Sequence, residues 1–179
     1  MLPATPGMGG EMNRTAMAML KRILLKILLE DAMSREEMAY RFYETARDLL
    51  TAPEAVALVN RLMAGELSHR IKLEDLQKQG RLPPGVLSEE IALEYDQEEP
   101  NLSSEIPPDS SSHDILHLAL QKERQAAAYY TRLARYTPVK TAKEVFAFLS
   151  QEEHRHVEWI AHQLAQDDQT QTEKDPEVF

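Results

Sequence analysis

The feature that most constrains this chain is a Glu-x-x-His pair that occurs twice, each time inside a long amphipathic segment. The first pair is Glu66 and His69, and the second is Glu153 and His156. Positions i and i+3 lie on one face of an α-helix about one turn apart, so a carboxylate and an imidazole at this spacing can converge on the same ion. One such pair is common on helix surfaces, and its meaning depends on what surrounds it.

The surroundings of the two pairs repeat with a constant offset of 87 residues. A further glutamate precedes each pair by 30 residues, Glu36 in the first case and Glu123 in the second. Neighbouring positions keep the same offset, as in these pairs: Ala39 and Ala126, Phe42 and Tyr129, Tyr43 and Tyr130, Leu62 and Leu149. The chain is therefore predicted to be a tandem helical hairpin that carries a duplicated half-site for a metal.

Composition restricts the classes of function that this chain can serve. Its 179 residues suit one domain with a sizeable core. A net charge of −10 disfavours nucleic-acid binding, which needs a basic surface. Because the chain has no cysteine, disulfides, thiolate metal sites and iron–sulfur clusters are excluded. Lys21, Arg22 and Lys26 interrupt the first apolar run, which leaves no recognisable secretory signal or membrane span, and we expect a cytoplasmic protein.

Hydrophobic periodicity predicts an all-α fold, a four-helix bundle made of two antiparallel hairpins. The bundle is expected to cover residues 14–166, between a flexible leader at 1–13 and an acidic disordered tail at 167–179. Residues 80–112 contain five prolines and no long periodic segment, so we expect them to form a long crossover between the hairpins. With this crossover, the third helix runs antiparallel to the first.

Details of the helix ends are also predicted. Residues 14–29 form an extra amphipathic N-terminal segment that extends the first bundle helix or packs on a partner subunit, with a membrane-surface helix as the alternative. Ser34 and Glu37 resemble a capping box, which allows a break near residue 33. Ser112 or Asp114 is expected to cap the third helix.

Four carboxylates on the inward faces of one bundle form a physically unusual set. Buried acids without partners are protonated or strongly destabilising. Two divalent cations supply four positive charges, which balance Glu36, Glu66, Glu123 and Glu153 while the imidazoles stay neutral. One Glu from each of two helices, with Glu-x-x-His from each of the others, is the arrangement of di-iron carboxylate bundles. The alternative is that these residues lie on solvated faces and their register is accidental.

As a set, these residues resemble the rubrerythrin-type members of the ferritin-like superfamily over about 27–80 and 113–165. The resemblance implies a ferritin-like four-helix bundle, two iron ions with manganese or zinc as substitutes, and a homodimer. It also implies that two glutamates bridge the metals and that each metal has one further Glu and one His. The bridging residues would be Glu66 and Glu153, with Glu36 and His69 on one metal and Glu123 and His156 on the other.

The resemblance also assigns supporting roles and shows two departures. Tyr43 and Tyr130 would be hydrogen-bond partners of the carboxylates, the alternative being aromatic core packing. Gly65, beside a ligand, is expected to permit close backbone packing. Classical rubrerythrins have an additional Glu where this chain has Ala126, and a cysteine-ligated iron for which this chain has no residues. Electrons are therefore expected from a separate donor protein.

Three functions are consistent with the sequence. The leading one is a di-iron or mixed iron–manganese oxidoreductase that reduces hydrogen peroxide or O2. The second is a ferroxidase that feeds an iron-storage shell. The third is a metal-free structural or interaction bundle. Oxygenation of an organic substrate also stays open, although no residue marks a substrate pocket.

Overall fold

The structure is a computed structural model that describes residues 8–79 and 105–174. Within these ranges the chain forms helices and no strand. The helices are α1 (Met8–Leu49), α2 (Pro53–Gln79), α3 (Ser112–Tyr136) and α4 (Lys140–Lys174). The predicted all-α, ferritin-like bundle is confirmed.

Each hairpin is closed by a short connection, residues 50–52 in the first and 137–139 in the second. Short connections between long helices make the helices antiparallel neighbours. Pro53 occupies the first helical position of α2, where its missing N–H costs nothing. At the end of α3 the Thr137 N–H donates to the Leu133 carbonyl at 2.9 Å, which satisfies a terminal acceptor.

The two hairpins face each other about a pseudo-two-fold axis. The Tyr43 hydroxyl of α1 reaches Glu123 of α3, and the Tyr130 hydroxyl of α3 reaches Glu36 of α1, so these helices run antiparallel. The buried apolar residues form two clusters whose members are related by the 87-residue offset. Phe42, Ala46, Val59, Leu62, Leu116 and Ile160 lie in one cluster, and their mates Tyr129, Leu133, Phe146, Leu149, Leu29 and Leu73 lie in the other. In every helix the predicted ligands fall between the two clusters.

Helix α1 is continuous, and the break allowed near residue 33 is not formed. Two ion pairs lie at and just after this position, and each joins residues one turn apart. Arg35 Nε lies 3.0 Å from Asp31 Oδ2, and Arg41 Nε lies 2.8 Å from Glu37 Oε1. Such i,i+4 pairs stabilise the helical form, and the helix continues through the serine that suggested a cap.

The helices extend beyond the predicted bundle at both ends. Residues 8–13, predicted to be part of a flexible leader, and 167–174, predicted to be part of a disordered tail, are helical. The start of the tail is held by a hydrogen bond of 2.9 Å from Gln163 Nε2 to Asp167 Oδ1. Residues 80–104 of the predicted crossover lie outside the described residues. No helix in the described ranges is long and apolar enough to cross a membrane.

The cap of α3 is Ser111, not Ser112 or Asp114 as predicted. The Asp114 N–H donates to Ser111 Oγ at 3.2 Å, and the Ser111 N–H donates to Asp114 Oδ2 at 3.0 Å. This reciprocal pairing needs a separation of three residues between the cap and its acidic partner. Only Ser111 lies at that distance from Asp114.

The position of the cap predicts that alanine substitutions at Ser111 and Ser112 change the stability of the protein by different amounts. Ser111→Ala should lower the free energy of unfolding by about 1 kcal/mol, because a terminal N–H loses its acceptor. Ser112→Ala is the matched control and should leave stability nearly unchanged, since this residue is inside the helix. Urea denaturation followed by circular dichroism measures both. Equal losses in the two variants would contradict this assignment of the cap.

Candidate metal centre

All six predicted ligands are buried in the middle of the bundle. Each has at most 2% of its surface exposed to solvent. The two hairpins contribute equivalent sets, with one glutamate from the first helix and a Glu-x-x-His pair from the second. The sets are Glu36, Glu66 and His69 in α1 and α2, and Glu123, Glu153 and His156 in α3 and α4.

The first half of the centre is arranged around the imidazole of His69. Its Nδ1 lies 3.3 Å from Glu36 Oε2 and 3.8 Å from Glu66 Oε2. Glu153 of the other hairpin also contributes, with Oε1 3.0 Å from the same nitrogen. One imidazole nitrogen therefore faces three carboxylates from three different helices.

The second half repeats this arrangement around His156. Its Nδ1 lies 3.1 Å from Glu123 Oε2, 3.3 Å from Glu153 Oε2 and 3.3 Å from Glu66 Oε1. Glu66 and Glu153 thus turn one oxygen towards each histidine. The potential ligand atoms form two groups of four, and within each group all four atoms lie within 4.8 Å of one another. Both groups contain these two shared glutamates.

Several polar atoms of the centre have no hydrogen bond. They are Glu36 Oε2, Glu66 Oε1, His69 Nδ1 and both carboxylate oxygens of Glu153. Leaving a buried polar atom unsatisfied costs about 1–3 kcal/mol, and more for a charged group. A pair of divalent cations would satisfy all five atoms. Carboxylate with imidazole suits iron, manganese or zinc, so the residues present fit a two-metal site.

Tyr43 and Tyr130 hold the two unshared glutamates from the opposite hairpin. The Tyr43 hydroxyl donates to Glu123 Oε1, and the Tyr130 hydroxyl donates to Glu36 Oε1. In each carboxylate the other oxygen, Oε2, is the one that faces a histidine. Burial raises the pKa of both phenols well above the usual value, so both remain hydrogen-bond donors.

Protons balance the charge of the centre when no cation is bound. Burial and the charge of Glu66 raise the pKa of Glu36 to about 8. Burial also acts to raise the pKa of Glu66, but the nearby imidazoles of His156 and His69 outweigh it and lower this pKa to about 2. For His156, carboxylate partners outweigh burial and raise the pKa to about 12. Metal ions must therefore displace protons from this centre.

Gly65 allows the close approach of His156 to helix α2. A Cβ atom at this position would lie 2.7 Å from both Cε1 and Nε2 of the imidazole. Glycine inside a helix costs about 1 kcal/mol relative to alanine. This loss of helix stability accompanies the space that the His156 ring occupies. The repeat mate is Glu152, so the two halves of the centre differ here.

The remaining histidines of the sequence lie outside this centre. His154 is exposed, with Nδ1 2.6 Å from the Ser150 carbonyl oxygen, and His162 is also exposed. Trp159, three residues beyond His156 on the same helix, packs against the site. The Trp159 ring centroid lies 5.3 Å from that of His156, and the Arg61 guanidinium lies 3.4 Å from the Trp159 centroid. The i,i+3 spacing from His156 was the signal for this contact.

The crowding at Gly65 predicts a site-specific defect. Gly65→Ala should push the His156 ring away and weaken metal binding in that half of the centre. The variant should also fail to show the gain of about 1 kcal/mol that alanine brings to an unobstructed helix position. Trp159 is the only tryptophan of the chain, so quenching of its fluorescence by Co²⁺ reports this half-site. Ser68→Ala, an exposed change on the same helix, should leave the quenching curve unaltered.

The pKa shifts predict how the stability of the chelator-treated protein depends on pH. Between about pH 2 and 4.5 the folded state keeps Glu66 ionised while the unfolded chain binds a proton, so this residue makes stability rise with pH. Between 4.5 and about 8 the folded state keeps the proton of Glu36 that the unfolded chain has released, so stability falls. Above 6.5 the raised pKa of His156 acts in the same direction.

Thermal denaturation of the chelator-treated protein over this range measures the effect. Glu36→Gln cannot titrate and should show a smaller decline between pH 4.5 and 8 than the wild type. A stability that rises over the same interval in the wild type would contradict the assignment of these protons.

The similarity of this chain to known proteins lies in the second hairpin. Residues 114–178 match the family model described as Rubrerythrin, and this segment contains Glu123, Glu153 and His156. Neither the curated proteins nor the solved structures give a match to the chain. The match confirms the resemblance inferred from the sequence for α3 and α4, and residues before 114 lie outside it. The second hairpin is similar to the Rubrerythrin family, and the four-helix bundle that contains it is consistent with a rubrerythrin-type ferritin-like protein.

Proposed function

We propose that this protein is a di-iron carboxylate oxidoreductase that reduces hydrogen peroxide or O2 with electrons from a separate donor protein. The observation that carries the proposal is the pair of equivalent Glu and His clusters that share Glu66 and Glu153. Two ions that share carboxylates lie close enough to act together on one small oxidant. The rubrerythrin match over α3 and α4 supports iron as the metal.

The proposed ligand assignment follows the contacts of each side chain. Glu36 and His69 would hold one ion, Glu123 and His156 would hold the other, and the shared carboxylates would bridge them. A pair of ferrous ions supplies the two electrons that reduction of a peroxide requires. Manganese or zinc would fit the same donor atoms.

The chain itself positions these ligands and shields them. Tyr43 and Tyr130 each hold a hydroxyl proton against a ligand carboxylate and so fix its orientation. The apolar clusters on both sides of the centre keep bulk water away from it. The tyrosine hydroxyls contact Glu36 and Glu123, so the shared glutamates would be the ligands freer to change their coordination.

The proposal also includes a separate electron donor and a dimeric state of the protein. Because the chain has no cysteine, it cannot hold a thiolate-bound iron as an internal electron relay. We propose a homodimer, and the exposed Leu20, Ile23 and Ile27 on α1 offer an apolar face for a second copy. Light scattering separates a dimer from the large shell that an iron-storage protein would form.

Metal titration tests the centre directly. Anaerobic Fe²⁺ titration of the metal-free protein should saturate at two ions per chain. Glu153→Ala and His156→Ala should lose this stoichiometry, because the first removes a shared ligand and the second removes the imidazole of one half. Glu158→Ala and His154→Ala are matched controls on the exposed side of the same helix and should retain it.

Addition of peroxide or O2 to the loaded protein then measures the oxidation of iron. Rapid oxidation by peroxide with turnover on supply of a reductant supports the proposed activity, whereas oxidation by O2 with accumulation of mineral would indicate iron storage. A wild-type protein that takes up no metal would refute the oxidoreductase and leave a structural bundle.

A further inference from the structure

One difference between the two halves of the bundle involves a pair of neighbouring side chains near the centre. The 87-residue offset relates Tyr129 to Phe42 and Asp31 to Leu118. One half therefore has a phenol and a carboxylate where the other half has two apolar side chains. The difference lies beside the half of the centre that contains Glu36.

The phenol and the carboxylate form a defined hydrogen-bonded unit. Tyr129 is 2% exposed, and its hydroxyl donates to Asp31 Oδ2 at 2.8 Å. Arg35 Nε lies 3.0 Å from the same oxygen, and the Arg35 guanidinium lies 4.2 Å from the centroid of the Tyr129 ring. The side chains of Asp31 and Arg35 are 41% and 38% exposed. A buried phenol is thus joined to an acceptor that meets solvent.

This unit is in contact with the candidate metal centre through one more aromatic ring. The ring centroids of Tyr129 and Tyr130 lie 5.1 Å apart, with an angle of 70° between the planes. The Tyr130 hydroxyl donates to Glu36. The contact between the two rings gives an electron a short path from Tyr129 to the ring that contacts Glu36.

Packing alone does not require the polar groups. Phe42 is 1% exposed in the equivalent position, and Leu118 packs against the same apolar cluster. The cation is retained in both halves, since Lys122 is the repeat mate of Arg35 and its Nζ lies 5.0 Å from the Phe42 centroid. Only the hydroxyl and its carboxylate partner are specific to one half.

We propose that Tyr129 is a one-electron donor that discharges the oxidised metal centre when the external reductant is lacking. This inference rests on the proposed function. In the step, the Tyr129 phenol gives one electron through the Tyr130 ring to a centre already oxidised by peroxide or O2. Its proton passes to Asp31, and the O–H bond of the phenol is the only bond that breaks. The products are a neutral tyrosyl radical, a protonated Asp31 and a centre reduced by one electron.

The neighbours of Tyr129 favour this coupled transfer. The Arg35 cation above the ring opposes a positively charged ring, so the electron leaves readily only if the proton leaves with it. Asp31 is an acceptor in place for that proton, and its exposure lets the proton continue to solvent. A small diffusible one-electron reductant such as a thiol or ascorbate, distinct from the donor protein of the metal centre, would later restore the phenol.

The test uses the iron-loaded protein without reductant. Peroxide is added, the sample is frozen rapidly, and electron paramagnetic resonance detects the radical. The wild type should show a neutral tyrosyl signal that is lost in Tyr129→Phe and reduced in Asp31→Leu. Tyr129→Phe copies the residue found in the other half, so thermal stability should be nearly retained in this variant. Tyr136→Phe, which alters an exposed tyrosine two turns further along α3, should keep the signal.

A second readout does not depend on the metal. Flash photolysis of the metal-free protein with an external photo-oxidant should form the tyrosyl radical with a solvent deuterium isotope effect. Asp31→Leu should slow formation of the radical severalfold, because the internal proton acceptor is gone.

The outcomes separate this inference from the proposed function. Loaded protein whose iron is oxidised without a tyrosyl signal would overturn the inference and leave the di-iron function standing. A signal that persists in Tyr129→Phe, or a radical at Trp159, would overturn it as well. Failure to load iron would overturn both.

Discussion

The bundle depends on a balance of charge in its interior. Four glutamates and two histidines occupy the middle of an apolar core, where unpaired charge is strongly destabilising. The fold meets this constraint by bringing every carboxylate within reach of an imidazole, a phenol or both. The same arrangement leaves oxygens of Glu66 and Glu153 without a hydrogen bond, and bound cations would satisfy them. Stability and the proposed metal binding therefore depend on the same contacts.

Contacts between the candidate ligands join the two hairpins. Glu66 faces His156, and Glu153 faces His69, so neither hairpin would hold a complete set of ligands by itself. The phenols act across the same interface, since each contacts a glutamate of the opposite hairpin. The halves are nevertheless not identical, because Gly65 makes room for His156 on one side and the Asp31 and Tyr129 pair accompanies Glu36 on the other. A duplicated sequence has thus produced two environments of different chemistry around one centre.

Much of this architecture could be predicted because it is encoded in regular spacings. The helices follow from periodic apolar positions, and the six predicted ligands from the 87-residue offset, which the structure brings together in one place. The errors concern features that depend on local competition between similar residues, such as the choice of Ser111 over Ser112 as a cap. The contact of Tyr129 with Asp31 could not be predicted from the 87-residue offset, since the repeat mates Phe42 and Leu118 are apolar and give no signal for a polar pair. The C-terminal extension of α4 has a contact that periodicity does not report, with His113 Nε2 3.2 Å from Asp168 Oδ1.

The 87-residue correspondence of buried side chains has a consequence for how such a centre can arise. The two hairpins contribute equivalent candidate ligands to the centre. Two separate copies of one hairpin would therefore contain every ligand type in the required number. Association of free hairpins would depend on their concentration. Linking them in one chain makes the encounter intramolecular, at an effective concentration set by the connecting segment. Covalent fusion also frees each copy to change alone, which a symmetric dimer of identical chains cannot do.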